Sequence, residues 1–169
     1  MDAKLQITVN ERPWTVTSSP DTPLLYVLTN EMLLQGPRFG CGLGQCGSCS
    51  VLLNGVEIRS CIMPVSAAQG KSVTTLEGLA ALYGKQKQLA KAPALHPVQQ
   101  ALIDEQAVQC GYCYNGMIIK ASELLSKNSQ PTEAQIRTAM NGHLCRCGTY
   151  PRLMKAIQRA SRMVSEVHK

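Results

Sequence analysis

At 169 residues, 44% of them hydrophobic and 17% charged, the chain suits one ordinary domain or two small ones and is too apolar for wholesale disorder. The net charge of +6 is uneven, with residues 1–79 summing to −1 and residues 80–169 to +7. A basic half can suggest a nucleic-acid partner, but there is no basic run of five and only 4% of residues are aromatic, too few for base-stacking surfaces, which argues against one.

The first residues, "MDAKLQITVNERPW", alternate apolar with polar residues and carry no hydrophobic signal block, and no apolar run nears the roughly 20 residues of a membrane span. Cytoplasmic synthesis without a membrane span is the expectation; whether an assembled complex ends at a membrane or is exported stays open. "KLQITVN" and "PWTVTS" read as strands around the turn Asn10-Glu11-Arg12. "DTPLLYVLTNEMLL" reads as a helix capped by Asp21 or Thr22, with Pro23 in its first turn and Leu24, Leu25, Leu28 and Met32 as its apolar stripe. "SVLL" and "VEIRSC" flank Asn54-Gly55, a strong two-residue hairpin signal. The first half therefore predicts a small sheet with a helix across it.

Between helix and hairpin lies "CGLGQCGSC". Eight cysteines in a chain made in a reducing compartment point to metal binding ahead of disulfides. Cys41, Cys46, Cys49 and Cys61 follow C-x4-C-x2-C-x11-C, the plant-type spacing for a [2Fe–2S] cluster. Glycines at 40, 42, 44 and 47 let backbone N–H groups close on the cluster's sulfurs, in conformations that a Cβ would oppose. The competing reading is structural zinc, which rarely uses so glycine-rich a loop.

"LYGKQKQLAKAPALHP" is polar and basic and reads as a linker, placed at residues 80–95. Beyond it the period becomes helical in "HPVQQALIDEQAVQ", "NGMIIKASELLSKN", "TEAQIRTAMN" and "YPRLMKAIQRASRMVSEV", which predicts a bundle of four short helices. The third opens on a capping box, Thr132 with Gln135, and stops at Gly142. Cys110, Cys113, Cys145 and Cys147 give C-x2-C and then C-x-C, a pattern that by itself serves zinc or iron–sulfur equally. Placed in two interhelix loops, they can close a second four-thiolate cage and leave no cysteine over. Two oxidised clusters, each −2 with its thiolates, would lower the formal +6 to about +2, so much of the basic surplus reads as compensation for buried anions.

Taken singly, Arg146 offsets cluster charge between two thiolates, and His143 reads as a solvated or capping residue in preference to a ligand. His96 and His168 belong to no constellation. Met117, Met140, Met154 and Met163 read as core packing. The last helix carries Leu153, Ile157, Ala160, Val164 and Val167 on one face and Arg152, Lys155, Arg159 and Arg162 on a solvated one. Nothing resembles a general base, a nucleophilic triad or a phosphate loop.

With its cysteine sets in this order, the chain resembles the small two-cluster subunit of the molybdenum hydroxylases, the xanthine oxidase family. "GCGLGQCGSCSVLLNG", "VQCGYC" and "GHLCRCGTYPRL" carry the likeness, which spans nearly the whole chain. It implies an α+β fold: a plant-type, ferredoxin-like β-grasp [2Fe–2S] domain over residues 1–79, the linker at 80–95, and an all-α four-helix-bundle [2Fe–2S] domain over 96–169. It also implies a molybdopterin cofactor in a separate large subunit, next to the helical-domain cluster, with the ferredoxin-like cluster further out. By the same likeness Gln109 hydrogen-bonds the pterin and Cys147 lies near it. Tyr114-Asn115 replaces the Thr-Pro of many members, and Asn115 is expected to cap the helix that follows. "CGYC", "NGM" and "CRCGTYPRL" look most like the branch serving nicotinate dehydrogenases and isoquinoline oxidoreductases. The expected function is electron transfer for a partner that hydroxylates an N-heteroaromatic ring such as nicotinate. Electrons would leave to a cytochrome c or flavin subunit, and no catalytic site is expected within this chain alone. The alternatives are a free-standing two-cluster ferredoxin and a zinc-stabilised interaction module.

Overall fold

A computed structural model describes residues 5–166. The strands read from alternation form as expected. β1 (Gln6–Val9) and β2 (Arg12–Thr15) pair antiparallel, and Asn10 and Glu11 between them take positive φ, 50° and 66°, which lets the hairpin follow the twist of the strands. β3 (Ser50–Leu53) and β4 (Val56–Arg59) pair antiparallel across Asn54 and Gly55, with φ of 50° and 81°. A fifth strand, β5 (Ser72–Thr74), runs parallel to β1 and antiparallel to β3, giving the order β2-β1-β5-β3-β4. Three residues are too short for alternation to register, so this central strand is invisible to a local reading.

The helix expected over residues 21–34 is shorter. α1 (Leu24–Tyr26) continues as a wider π-helical turn over Val27–Glu31 and has no side-chain cap from Asp21 or Thr22. The cause is tertiary: Leu24 N donates to the Met63 carbonyl and the Thr22 carbonyl accepts from Val65 N, both at 2.8 Å, so a distant loop supplies the partners. Leu24, Val27 and Leu28 pack with Ile7, Val9, Val51, Leu53 and Val73 on one face of the sheet. Each such side chain contributes about 1.5–3 kcal/mol when fully buried. Leu25 turns instead toward Cys49 and Cys61.

Side chains alternate across a strand, so Leu52 points away from this core and joins the helical one. The second face of the sheet is covered by α4 (Tyr114–Lys127), which lies on β3 and β4, and α2 (Leu79–Gln86), α3 (Pro97–Asp104), α5 (Glu133–Met140) and α6 (Tyr150–Glu166) complete the helical core with it. α2 falls where a linker was expected. Its Leu79 and Tyr83 belong to the helical core and Leu82 and Leu89 pack against it, a pattern masked in the sequence by the intervening lysines and glutamines.

Capping departs from expectation at two helices. α5 has its Thr132–Gln135 box, whereas α3 is capped by His96, whose Nδ1 accepts from Val98 N at 3.1 Å while Gln99 accepts from His96 N at 2.8 Å. Asn115 caps nothing, because Cys113 is the N-cap of α4 and Asn115 lies inside the first turn. Met117 and Met140 are buried, Met154 and Met163 flank the core, and Leu153, Ile157, Ala160 and Val164 form the inward face of α6. Its basic face is partly tied down: Arg152 donates to the Gln106 carbonyl, and Arg159 bridges Asp104 and Glu105. Val167 and His168 lie outside the described residues. Among the described residues, no helix is long and apolar enough to cross a membrane.

Candidate metal centres

The loop between α1 and β3 turns its backbone toward sulfur. The amides of Leu43, Gln45 and Cys46 donate to Cys41 Sγ at 3.4, 3.2 and 3.4 Å, and the Cys41 amide donates to Cys46 Sγ at 3.4 Å. Gly40 is needed here because a Cβ would stand 2.7 Å from Cys46 Sγ. Hydrogen bonding, from Leu43 foremost, brings the Cys41 thiol down to about 6. Cys49 and Cys61 lie deeper, beside Leu25, and burial together with the neighbouring thiols pushes Cys49 up to about 11. Thiols that resist joint ionisation alone, ringed by inward N–H donors, suit an iron–sulfur core whose iron favours thiolate and whose sulfides accept hydrogen bonds.

The second set also gathers. Cys110 and Cys147 are exposed, with their sulfurs 3.5 Å apart. Cys113 is buried at the start of α4, and burial, with Cys145 and Cys110 close by, pushes it up to about 12. At Cys145 burial acts upward, yet the amide and hydroxyl of Thr149 outweigh it and bring the thiol to about 7. Thr149 Oγ1 lies 3.5 Å from Cys145 Sγ and 2.8 Å from the Tyr114 hydroxyl, which also bonds the Ala107 carbonyl. The Cys145 amide donates to the Tyr150 hydroxyl at 2.7 Å. Gln109 and Arg146 stand exposed beside these thiols. None of the eight cysteines forms a disulfide. Among the described residues, no three Cys, His, Asp or Glu side chains close round one point as ligands of a single ion do.

A polar seam joins the two loops. His143 is only 3% exposed, so it is not solvated, and neither ring nitrogen bonds a helix end, so it is not a cap. Its Nε2 lies 2.8 Å from Glu57 Oε1 and 3.2 Å from the Arg59 guanidinium, and a Cβ on Gly47 would come within 2.5 Å of its ring. Glu57 also accepts from Ser50 Oγ at 2.6 Å and pairs with Lys120 at 3.4 Å. Burial opposes its charge, but His143, Ser50 and Arg59 win and hold its carboxyl near 2. Arg59 further donates to the carbonyls of Gly44 and Gly142 at 3.2 Å. Asn115 Nδ2 donates to the carbonyls of Ser48 and Ser50 at 2.8 and 2.9 Å. The sequence reading missed Glu57 and this role of Asn115 and misplaced His143. One signal was there: Ser50, Leu52, Glu57 and Arg59 share a strand face that the helices cover.

Comparison with known proteins agrees with this geometry. A family described as 2Fe-2S iron-sulfur cluster binding domain matches residues 7–78, and one described as [2Fe-2S] binding domain matches residues 75–158. A nicotinate dehydrogenase subunit of Pseudomonas putida is 48% identical over 161 residues, covering 95% of this chain and 96% of that protein. The alpha subunit of isoquinoline 1-oxidoreductase from Brevundimonas diminuta is 46% identical over 159 residues, covering 94% and 97%. Among solved structures, quinoline 2-oxidoreductase from Pseudomonas putida 86 superposes with a TM-score of 0.84 at 30% identity, over 97% of this chain and 96% of that one. The choice between zinc and iron–sulfur that spacing left open at the second set falls to iron–sulfur, and the fold is a ferredoxin-like domain followed by a helical one. The chain belongs to the [2Fe–2S] small subunits of the molybdenum hydroxylases, the xanthine oxidase family.

Proposed function

We propose that this chain relays electrons from a molybdopterin centre in a large partner subunit to an acceptor, and that the partner hydroxylates an N-heteroaromatic ring of the nicotinate class. The relatives named for nicotinate, isoquinoline and quinoline support that substrate class. Cys41, Cys46, Cys49 and Cys61 hold one cluster, and Cys110, Cys113, Cys145 and Cys147 the other. When bound, a [2Fe–2S] cluster takes up and releases one electron at a time without making or breaking a bond to substrate.

The observation that carries the reading is the backbone bond from Leu144 N to the Cys46 carbonyl, 3.0 Å, which sets the two loops against each other while each keeps an exposed rim. The rim of the second set, with Cys110, Cys147, Val108, Tyr112 and Leu144, faces the large subunit. There Gln109 offers an amide donor and acceptor to the pterin edge, and Cys147 lies close to it. The rim of the first set, with Phe39, Leu43 and Ile62, faces the acceptor, a cytochrome c or flavin subunit. The chain divides at about residue 79 into a sheet unit and a helical unit, residues 80–95 running along the latter.

Native purification with identification of the copurifying chains tests this. A large molybdopterin subunit should accompany a red-brown chain holding about four irons and four acid-labile sulfides. A chain that purifies alone, with both clusters, would instead be a free-standing ferredoxin.

A further inference from the structure

We infer that Asn115 is a positioning residue for the electron step between the two cysteine sets, an inference that rests on the relay described above. Its side chain is 3% exposed, and its Nδ2 donates both protons to the carbonyls of Ser48 and Ser50, the residues on either side of Cys49. The orientation of the amide is dictated by chemistry, since the flipped form would press its oxygen against two other acceptors. Two residues before it stands Cys113, at the N-cap of α4. One side chain therefore fastens the backbone around a ligand of the first set to the rigid helical turn that begins at a ligand of the second.

The fit is costly, which points to the two donors as its purpose. Asn115 Oδ1 is buried with no partner, a penalty that a leucine of similar volume would escape. The contact is also close: at the next residue, Gly116, a Cβ would overlap the carbonyl oxygen of Gly47, so the first turn of α4 seats directly on the loop that leads to Cys49. Glu57 and Arg59 also hold this segment, through the Ser50 hydroxyl, and Ser60 and Arg38 bond the carbonyls of Cys49 and Ser48, but Asn115 is the side chain that ties it to the first turn of α4.

The test compares wild-type complex with Asn115→Leu, reading iron content, the magnetic splitting between the two clusters after dithionite reduction, and the rate at which the first cluster follows the second in rapid mixing. Each lost buried bond weakens the clamped arrangement roughly fivefold, so losing both should lower its equilibrium weight about 25-fold. The expected result is full iron content and unchanged individual line positions, with altered splitting and a slower inter-site step. Asn115→Ser, which keeps one donor, should restore part of both. Wild-type splitting and rate in a fully loaded Asn115→Leu protein would overturn the inference even if thermal stability fell, because that pattern belongs to a purely structural residue. Should the leucine variant fail to fold, wild-type splitting in Asn115→Ser overturns it equally. The splitting is read on chemically reduced protein without substrate, so a missing molybdopterin partner would count against the proposed function and leave this measurement intact.

Discussion

The backbone N–H of Leu144 donates to the carbonyl of Cys46 at 3.0 Å, so a residue adjoining Cys145 of the second set is bonded directly to a cysteine of the first. Backbone makes this bond, and no replacement of Leu144 other than proline deletes it. What can be changed is the seam of side chains that keeps the two loops in register, and the thiols on either side of it.

Cys49→Ser should remove the first cluster and spare the second, because the two ligand sets come from separate loops and Cys49 packs with Leu25 and Cys61 of the first. Spectroscopy on the reduced protein should show one paramagnetic signal in place of two. Substrate should still reduce the remaining cluster, while turnover with the natural acceptor collapses. Retained acceptor turnover would reverse the proposed order of the two sites.

Glu57→Gln removes the anion that pairs with Arg59, His143 and Lys120 and should destabilise the chain by about 3 kcal/mol, because the partners stay behind partly buried. The pH dependence has a definite sign. The folded carboxyl titrates near 2 against an ordinary value of 4.5, so its stabilisation is complete above 4.5 and is lost as pH falls from there through 2. The full contribution is about 3 kcal/mol. Urea denaturation should find the gap between wild type and Glu57→Gln flat from neutral pH to about pH 5 and narrowing below it; a gap that widens on acidification would contradict the assignment.

Gly116→Ala adds a methyl where the Gly47 carbonyl already lies. α4 must back away from the loop, at a cost of about 1–3 kcal/mol, as for other overpacked sites. Calorimetry should show a lower melting temperature. Gly55→Ala serves as the control for added volume, since nothing lies within 4 Å of a Cβ there, although its φ of +81° will add some backbone strain.

Gln109→Ala touches no thiol and changes an exposed side chain, so both clusters should assemble and the isolated subunit should keep its stability. In the complex it should leave pterin polar groups without partners, weakening association or the substrate-driven reduction of the nearer cluster by an amount equivalent to about 1–3 kcal/mol. Electron exit from chemically reduced protein should be unaffected. Unchanged assembly and an unchanged substrate-driven rate would show that Gln109 makes no pterin contact.

The features legible in the sequence are those that local spacing dictates. Cys41, Cys46 and Cys49 must come from one tight loop, its glycines must admit inward amides, Asn54-Gly55 must turn a hairpin, and Thr132 with Gln135 must start a helix; each requirement is met within about a dozen residues. What tertiary structure alone decided depends on partners far apart in the chain. β5 is a strand only because β1 and β3 leave a gap of the right width between them. α2 is a helix in place of a linker because the helical core has room for Leu79 and Tyr83. His143 reads locally as a solvated residue and is buried because Glu57, 86 positions earlier, arrives on the covered face of the sheet. Asn115 reads as a cap and becomes a clamp because Ser48 and Ser50, 67 and 65 positions earlier, present their carbonyls to it. Periodicity and spacing report which faces and ligands a segment offers, whereas the partner of a buried polar group is chosen by how the sheet and the helices dock, and that is a property of the whole chain.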